Sequence, residues 1–299
     1  MELVTQVADD YLRTAEPSDA ARLRFIQGVW EIQARVEAVV RPYEAPSAEV
    51  AQEALVKGTP LFHVSAPVVP VAQYLDTVAQ LARYASEMVG LPAEQAEALR
   101  TADFAVCIDA ERLAGAVRSP EEFVAGVSTE MSTQGGDALS SFAIAFVLMS
   151  ALVPFLTGPS HEALESLGEF DQRAWSAGHC PVCGGAASMG RMGESTQMKG
   201  GERTLWCGLC HAEWGYERIR CVRCGSRNPD MLRYTHLEGD SAHRVHLCDE
   251  CRGYTRFVFV DDLDKPVSMV VEDAVTTKLD AVASELGYTS TGDGGSSSN

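Results

Sequence analysis

Cys180-Pro181-Val182-Cys183-Gly184, Cys207-Gly208-Leu209-Cys210, Cys221-Val222-Arg223-Cys224-Gly225 and Cys248-Asp249-Glu250-Cys251 hold eight of the nine cysteines of this 299-residue chain. The spacing is C-x2-C-x23-C-x2-C, then ten residues, then C-x2-C-x23-C-x2-C again. Each cysteine of the second set lies 41 residues after its counterpart in the first. A fixed displacement applied to four positions reads as one unit present twice.

Two cysteines with two residues between them can turn back and aim both sulfurs at one ion. Two such knuckles complete a tetrahedron of thiolates, which suits Zn²⁺ or a single iron. Gly184 and Gly225 each follow the second cysteine of a knuckle, where the tight turn favours a residue that tolerates positive φ. The 23-residue insert is long enough for a β-hairpin that carries the second knuckle back to the first, with Leu205-Trp206 and Val245-His246-Leu247 as the strand ends. The expectation is two tandem rubredoxin-like or zinc-ribbon modules and two metal ions, iron or zinc. Cys180, Cys183, Cys207 and Cys210 would hold one ion; Cys221, Cys224, Cys248 and Cys251 would hold the other. The duplicated insert favours this sequential grouping over a cross-brace joining the first pair to the third.

The role of such ions has more than one reading. A module of about 35 residues buries too little to stand alone, and metal binding adds about 10–16 kcal/mol of folding free energy. The metals are then staples. Redox or metal-transfer chemistry is the second reading, and disulfide exchange at one C-x-x-C the third. A closed tetrathiolate keeps no coordination position for a substrate, which argues against hydrolysis at the metal.

Downstream, Thr255 to Val260 is β-branched and aromatic and reads as a strand. Val271, Val275, Leu279, Val282 and Leu286 are spaced for a helix that Gly287 ends. Residues 289–299 read as a flexible tail. Upstream, residues 1–175 read as all-α. Leu23, Ile26, Val29, Ile32, Val36 and Val39 recur at steps of three or four, as do Val71, Tyr74, Leu75, Val78, Leu81, Tyr84 and Met88. Gly58-Thr59-Pro60 and Pro67 to Pro70 break the chain between them. Ser119-Pro120-Glu121-Glu122 is a capping box, and Ser160 is positioned to cap a further helix carrying Leu164, Leu167 and Phe170. The fold class is therefore α+β and multidomain: an all-α domain over 1–175, ribbons over 176–215 and 216–262, a C-terminal helix over 263–288, and the tail.

Ala138 to Ser160 carries no charge, but its apolar core, Phe142 to Leu156, is 15 residues long. A span needs about 20. The acidic flanks Asp137 and Glu162 do not orient a span either. This segment reads as the central helix of a bundle, with no membrane span. The start, Met1 to Asp10, is acidic and has no long apolar stretch, so no secretory leader is expected. Paired cysteines in a cytosolic chain point to metal or redox chemistry, not to a disulfide framework.

The charge is 24 Lys+Arg against 42 Asp+Glu, a net of −18. Such a chain is poorly suited to tracking a phosphate backbone, which rests on Lys and Arg, and well suited to a basic partner. Residues 1–175 carry 11 basic and 25 acidic side chains, whereas residues 180–260 carry 11 and 9. In that second stretch Arg218, Arg220, Arg223 and Arg227 cluster at the link between the two cysteine sets, either as a solvated surface beside anionic thiolates or as a contact patch for a partner. His211 reads as a neighbour of the first site, not a fifth ligand, and Cys107 as a small core residue. No phosphate loop, nucleophile elbow or paired-carboxylate arrangement stands out, so no catalytic residue is assigned and the chain is not expected to be an enzyme.

Taken together, Cys180-Pro181-Val182-Cys183-Gly184, the run Gly200-Gly201-Glu202-Arg203-Thr204-Leu205-Trp206-Cys207-Gly208-Leu209-Cys210, and Glu213-Trp214 leading through Arg218-Ile219-Arg220-Cys221 to Cys224-Gly225 resemble the formate dehydrogenase accessory protein family, FdhE. Cys248-Asp249-Glu250-Cys251 with Tyr254 is similar to its fourth knuckle. Glu272-Asp273 through Leu279-Asp280 to Leu286-Gly287-Tyr288 is similar to its closing helix. Gly58-Thr59-Pro60-Leu61 and the helix around Ala151 to Phe155 are similar to its helical half. The resemblance implies a cytoplasmic factor that contacts the catalytic subunit of respiratory formate dehydrogenase before export. It also implies two rubredoxin-like modules and the same eight cysteine ligands. The acidic helical half would then hold a basic export signal while the ribbons dock the subunit. The sequence is compatible with a homo-oligomer. The rival readings are an iron-binding redox or metal-transfer protein acting on that client, and a nucleic-acid-binding ribbon protein, which the net charge disfavours.

Overall fold

The computed structural model describes residues 2–37, 39–40, 42–88, 91–135, 139–167, 175–193 and 202–291. Among the described residues, nine α-helices come first: α1 (Glu2–Leu12), α2 (Pro17–Glu37), α3 (Ala48–Val56), α4 (Leu61–Val64), α5 (Val71–Ser86), α6 (Ala93–Thr101), α7 (Ala110–Ala116), α8 (Pro120–Gly135) and α9 (Ser141–Glu165). Six strands and two short α-helices follow among them. The chain divides into one unit of Arg24–Gly168 with Val182–Gly185, and another of Met1–Leu23, Glu169–Pro181 and Ala186–Asn299. The charge and composition shift in the sequence falls near residue 175. The division of the fold also falls after Leu23, and it groups α1 with the strands.

In the helical unit α9 packs against α5 and α8. It is long and apolar enough to cross a membrane by length and composition, yet more than half of its apolar window is buried in protein. Ser140 caps it, accepting the Ala143 N–H at 3.1 Å. The expected second helix from Ser160 does not form: α9 runs on to Glu165 through Pro154 and Pro159, and Ser160 is buried inside it. Phe170, assigned to that second helix, lies outside the described residues. A proline inside a helix has no N–H for the carbonyl four residues earlier. Opposite Pro154 that carbonyl belongs to Ser150, and the Gln33 side-chain amide from α2 donates to it at 2.8 Å. Two turns of core ring packing close around the same helix: the Tyr74 hydroxyl donates to the Leu148 carbonyl at 3.0 Å, and its ring meets those of Phe123 and Phe155. Of the two apolar stripes, Leu23, Val29, Ile32, Tyr74, Val78 and Leu81 are buried, whereas Val39 and Met88 lie past the helix ends and are exposed.

The other unit is built on one six-stranded sheet of order β3-β2-β1-β6-β5-β4. Its strands are β1 (Met189–Gly193), β2 (Glu202–Trp206), β3 (Glu213–Gly215), β4 (Leu232–His236), β5 (His243–Cys248) and β6 (Tyr254–Phe259). Each set of three is an antiparallel meander. The 41-residue displacement of the cysteines reappears in the strands: β2 begins at Glu202 and β5 at His243, while β3 begins at Glu213 and β6 at Tyr254. The hairpins and the strand near Thr255 to Val260 match the sequence expectation. The join does not follow from it. β1 of the first copy pairs in parallel with β6 of the second, Gly190 opposite Phe257, so the two modules share one sheet. Gly190 is required there, because a Cβ would sit 2.2 Å from the Phe257 ring.

The expected closing helix is two helices, α10 (Met269–Val275) and α11 (Lys278–Glu285). The break is held from the sheet. Buried Arg256 on β6 donates to the Asp273 carbonyl at 2.7 Å and to the Thr276 hydroxyl at 2.9 Å, and pairs with the Asp273 and Asp280 carboxylates. Gly287 ends α11 at φ 80°. Thr289, assigned to the tail, is tied in: its N–H donates to Arg252 O, and its carbonyl accepts from the Tyr254 N–H. Residues 292–299 lie outside the described residues.

One buried polar cluster links three distant segments of this unit. His243 donates to Asp240 (2.8 Å) and meets Glu272 (2.9 Å), and the Tyr11 hydroxyl donates to the same Glu272 oxygen at 2.6 Å. The second Glu272 oxygen has no hydrogen-bond partner among the described residues. Burial pulls the imidazole pKa down, but the hydrogen bonds to the two carboxylates outweigh it and hold it up at about 9.

Two outcomes follow. Gln33→Leu, which leaves the Ser150 carbonyl without its donor, lowers stability by about 1 kcal/mol in urea unfolding. The raised His243 pKa contributes stability that is complete below about pH 6.5 and lost as pH rises through about 9. The thermal midpoint therefore falls over that window, and His243→Gln removes the slope.

Candidate metal centres

The eight cysteines gather as two groups of four, Cys180, Cys183, Cys207 and Cys210, and Cys221, Cys224, Cys248 and Cys251, with all sulfurs of a group within 4.8 Å of one another. Cys180 and Cys210 sulfurs are 3.5 Å apart; Cys221–Cys251 and Cys224–Cys248 are each 3.8 Å apart. Four sulfurs at the Zn–S distance of about 2.3 Å stand about 3.8 Å apart on the edges of a tetrahedron. A disulfide would need about 2.05 Å, and none of the nine cysteines forms one. Donor set and spacing therefore fit a tetrahedral metal ion in each group.

The local chain explains why the sulfurs converge. In each knuckle the residue after the second cysteine is left-handed: Gly184 (φ 79°), His211 (φ 61°), Gly225 (φ 76°) and Arg252 (φ 54°). Sequence marks only the two glycines, because the other two positions carry side chains that meet this conformation at a cost of about 1–2 kcal/mol. The turn closes the same way in three of them: the N–H of Cys207, Cys221 and Cys248 donates to the carbonyl five residues on, in Ala212, Ser226 and Gly253. Backbone N–H groups also face the sulfurs, Gly185 to Cys183 at 3.4 Å and Arg223 to Cys221 at 3.3 Å. The first group is wholly buried, whereas in the second Cys224 is exposed.

No family model matches the chain. A protein of Shewanella baltica (strain OS223) named "Protein FdhE homolog" is 32% identical over 133 residues, 44% of this chain and 43% of that protein. The "Protein FdhE homolog" of Aquifex aeolicus is 29% identical over 154 residues, 51% of each chain. The matched stretches thus span about half the length of these relatives. The crystal structure of the FdhE protein from Pseudomonas aeruginosa aligns over 96% of this chain and 90% of that one, at 23% identity and a TM-score of 0.59, which shows a shared fold. Over about half its length the chain is similar in sequence to FdhE homologues, and it shares the fold of an FdhE protein.

Around the centres, the arginine cluster separates into two kinds. Arg227 is exposed and makes a two-pronged pair with Glu217. Arg220 and Arg223 turn inward and donate to main-chain carbonyls, Arg220 to Ser176 (2.6 Å) and Arg223 to Tyr254 (3.0 Å). His211 stacks on Trp206 with ring centroids 5.2 Å apart. Cys107 is buried 3.7 Å from the Met131 sulfur, in the core. The Tyr11–His243–Glu272 cluster had no signal in the sequence, since its members are 29 to 261 residues apart.

Without a metal the thiols of the second group are held unequally. Burial opposes ionisation of Cys221, but the amides of Cys224 and Arg223 outweigh it and lower its pKa. Partial desolvation of its sulfur, in a residue that is otherwise exposed, pushes Cys224 up to about 11. Metal uptake must then expel protons, and affinity falls with acid. Metal analysis checks the grouping. Cys183→Ser and Cys224→Ser each lower bound metal from two ions per chain to one, and acidification releases metal from the unsubstituted protein.

Proposed function

We propose that this chain is a cytoplasmic accessory factor for the maturation of formate dehydrogenase, that it binds the catalytic subunit of that enzyme, and that it has no turnover reaction of its own. The observation that carries the reading is the combination of FdhE-like sequence with two complete four-cysteine centres on one sheet. In this reading Cys180, Cys183, Cys207 and Cys210 hold one ion and Cys221, Cys224, Cys248 and Cys251 the other. When bound, the ions fix the four knuckles to the strands that carry them. The chain's own part is to present a rigid surface to the client. The acidic segment, with 25 acidic against 11 basic side chains over residues 1–175, supplies attraction for a basic stretch of the client.

A second reading is favoured by one observation, the exposure of Cys224 in an otherwise buried group. An exposed thiolate ligand gives a route for exchange of the metal or of electrons with the client. Iron in this centre would give a reversible ferric-thiolate absorption band in the visible range. A colourless protein that holds only zinc removes this reading.

The test uses the full chain, loaded with metal, and the purified catalytic subunit. Co-precipitation succeeds at low ionic strength and weakens as salt rises. It is lost when Cys224→Ser or Cys183→Ser removes a centre. Deleting the gene lowers formate oxidation in cell extracts. Undiminished oxidation, or no association at any salt concentration, overturns the proposal.

A further inference from the structure

A cleft of about 260 Å³ opens beside the second cysteine group. It lies in the sheet unit, between the link joining the two copies and the edge strand β4. In a chain of net charge −18 its walls are cationic: Arg203, Arg218, Arg220, Arg223 and Arg233 all line it. Arg233 pairs with Asp249, whereas Arg203, Arg220 and Arg223 have no carboxylate ion-pair partner among the described residues. Arg203 is nearly fully buried, and one of its terminal nitrogens donates to the carbonyls of Glu217, Arg218 and Arg220 at 2.8–2.9 Å. Its Nε has no partner among the described residues. Arg220 and Arg223 are likewise anchored on carbonyl oxygens.

Carbonyl anchors fix a guanidinium in place but leave its charge uncancelled. The adjacent metal centre does not account for all of it. A divalent ion in four thiolates leaves two negative charges, fewer than the three carbonyl-anchored arginines supply. The rim is apolar and uncovered: Ile219 and Tyr234 are each 61% exposed. The cleft is smaller than the roughly 300–1,000 Å³ of sites that enclose small-molecule ligands. It is sized for a side chain carried on a polypeptide.

We propose that this cleft binds an acidic segment of a partner protein, with a carboxylate side chain among the arginines and an adjoining apolar side chain against Ile219 and Tyr234. Guanidinium groups match carboxylates in shape and charge, and fixed side chains lose little freedom when they bind one. The inference names a contact surface for the client of the proposed function and rests on that reading for the client's identity only. The acidic helical half serves basic stretches, and this cleft serves acidic ones.

The test takes the metal-loaded full chain and a fluorescein-labelled peptide, Gly-Glu-Leu-Asp-Glu-Leu-Gly, with its Gln/Asn counterpart as control, read by fluorescence anisotropy. The acidic peptide binds and the amide peptide does not. Exposed Arg218→Glu lowers the affinity about tenfold, 1.4 kcal/mol. The doubly substituted Ile219→Ser/Tyr234→Ser protein, which leaves every arginine in place, also weakens it. Equal binding of both peptides, or unchanged affinity in both variants, overturns the inference. So does a self-association in sedimentation that Arg218→Glu abolishes, since a second copy is then the occupant. A protein that binds the peptide but not the catalytic subunit keeps the cleft and loses the proposed function. One that binds the subunit equally with and without Arg218→Glu, and no peptide, does the reverse.

Discussion

Four sulfurs within 4.8 Å of one another are an arrangement that buried thiols do not seek and that thiolates resist without a cation. Each group of four here depends on a backbone turn into the left-handed region at the residue after the second cysteine. That constraint fixes where the strands can begin. Cys207 follows directly on β2 and Cys248 closes β5, so a knuckle that opened would free the end of a strand in the middle of each meander. Strand register, the sheet that joins the two copies, and the cleft beside the second group all stand on these turns.

Duplication gives the sheet its size. A three-stranded meander on its own has two edges to protect. Placing β1 beside β6 covers one edge of each copy with the other and leaves only β3 and β4 outermost. The central strand β6 is buried along almost its whole length. It brings Arg256 to bear on the following helices, so the same pairing that joins the copies also sets the bend between α10 and α11.

The sequence was most legible where one spacing encodes one local geometry. The C-x-x-C knuckles, the hairpins in the 23-residue inserts and the buried positions of the two helical stripes can be read that way, because each is decided within a few turns or strands. Three features could not be read. The β1–β6 pairing joins strands that no spacing relates. The passage of α9 through Pro154 depends on Gln33, which is 117 residues from its partner. His211 and Arg252 adopt the glycine conformation without glycine, since hydrogen bonds of the knuckle hold them there. The arginines near the link were visible as a cluster. Which of them pair outward and which turn inward was decided by carbonyl positions that only the folded link supplies.

The grouping of Met1–Leu23 with the strands has a consequence for how the chain is made. Tyr11 meets Glu272 across 261 residues of sequence. Helix α1 is therefore made long before the strands and helices that hold it, while Arg24–Gly168 can collapse around α9 in the interval. The sheet unit closes only once α10 is present to meet α1. Until then, cysteines awaiting their ion and a helix awaiting its partner are exposed together.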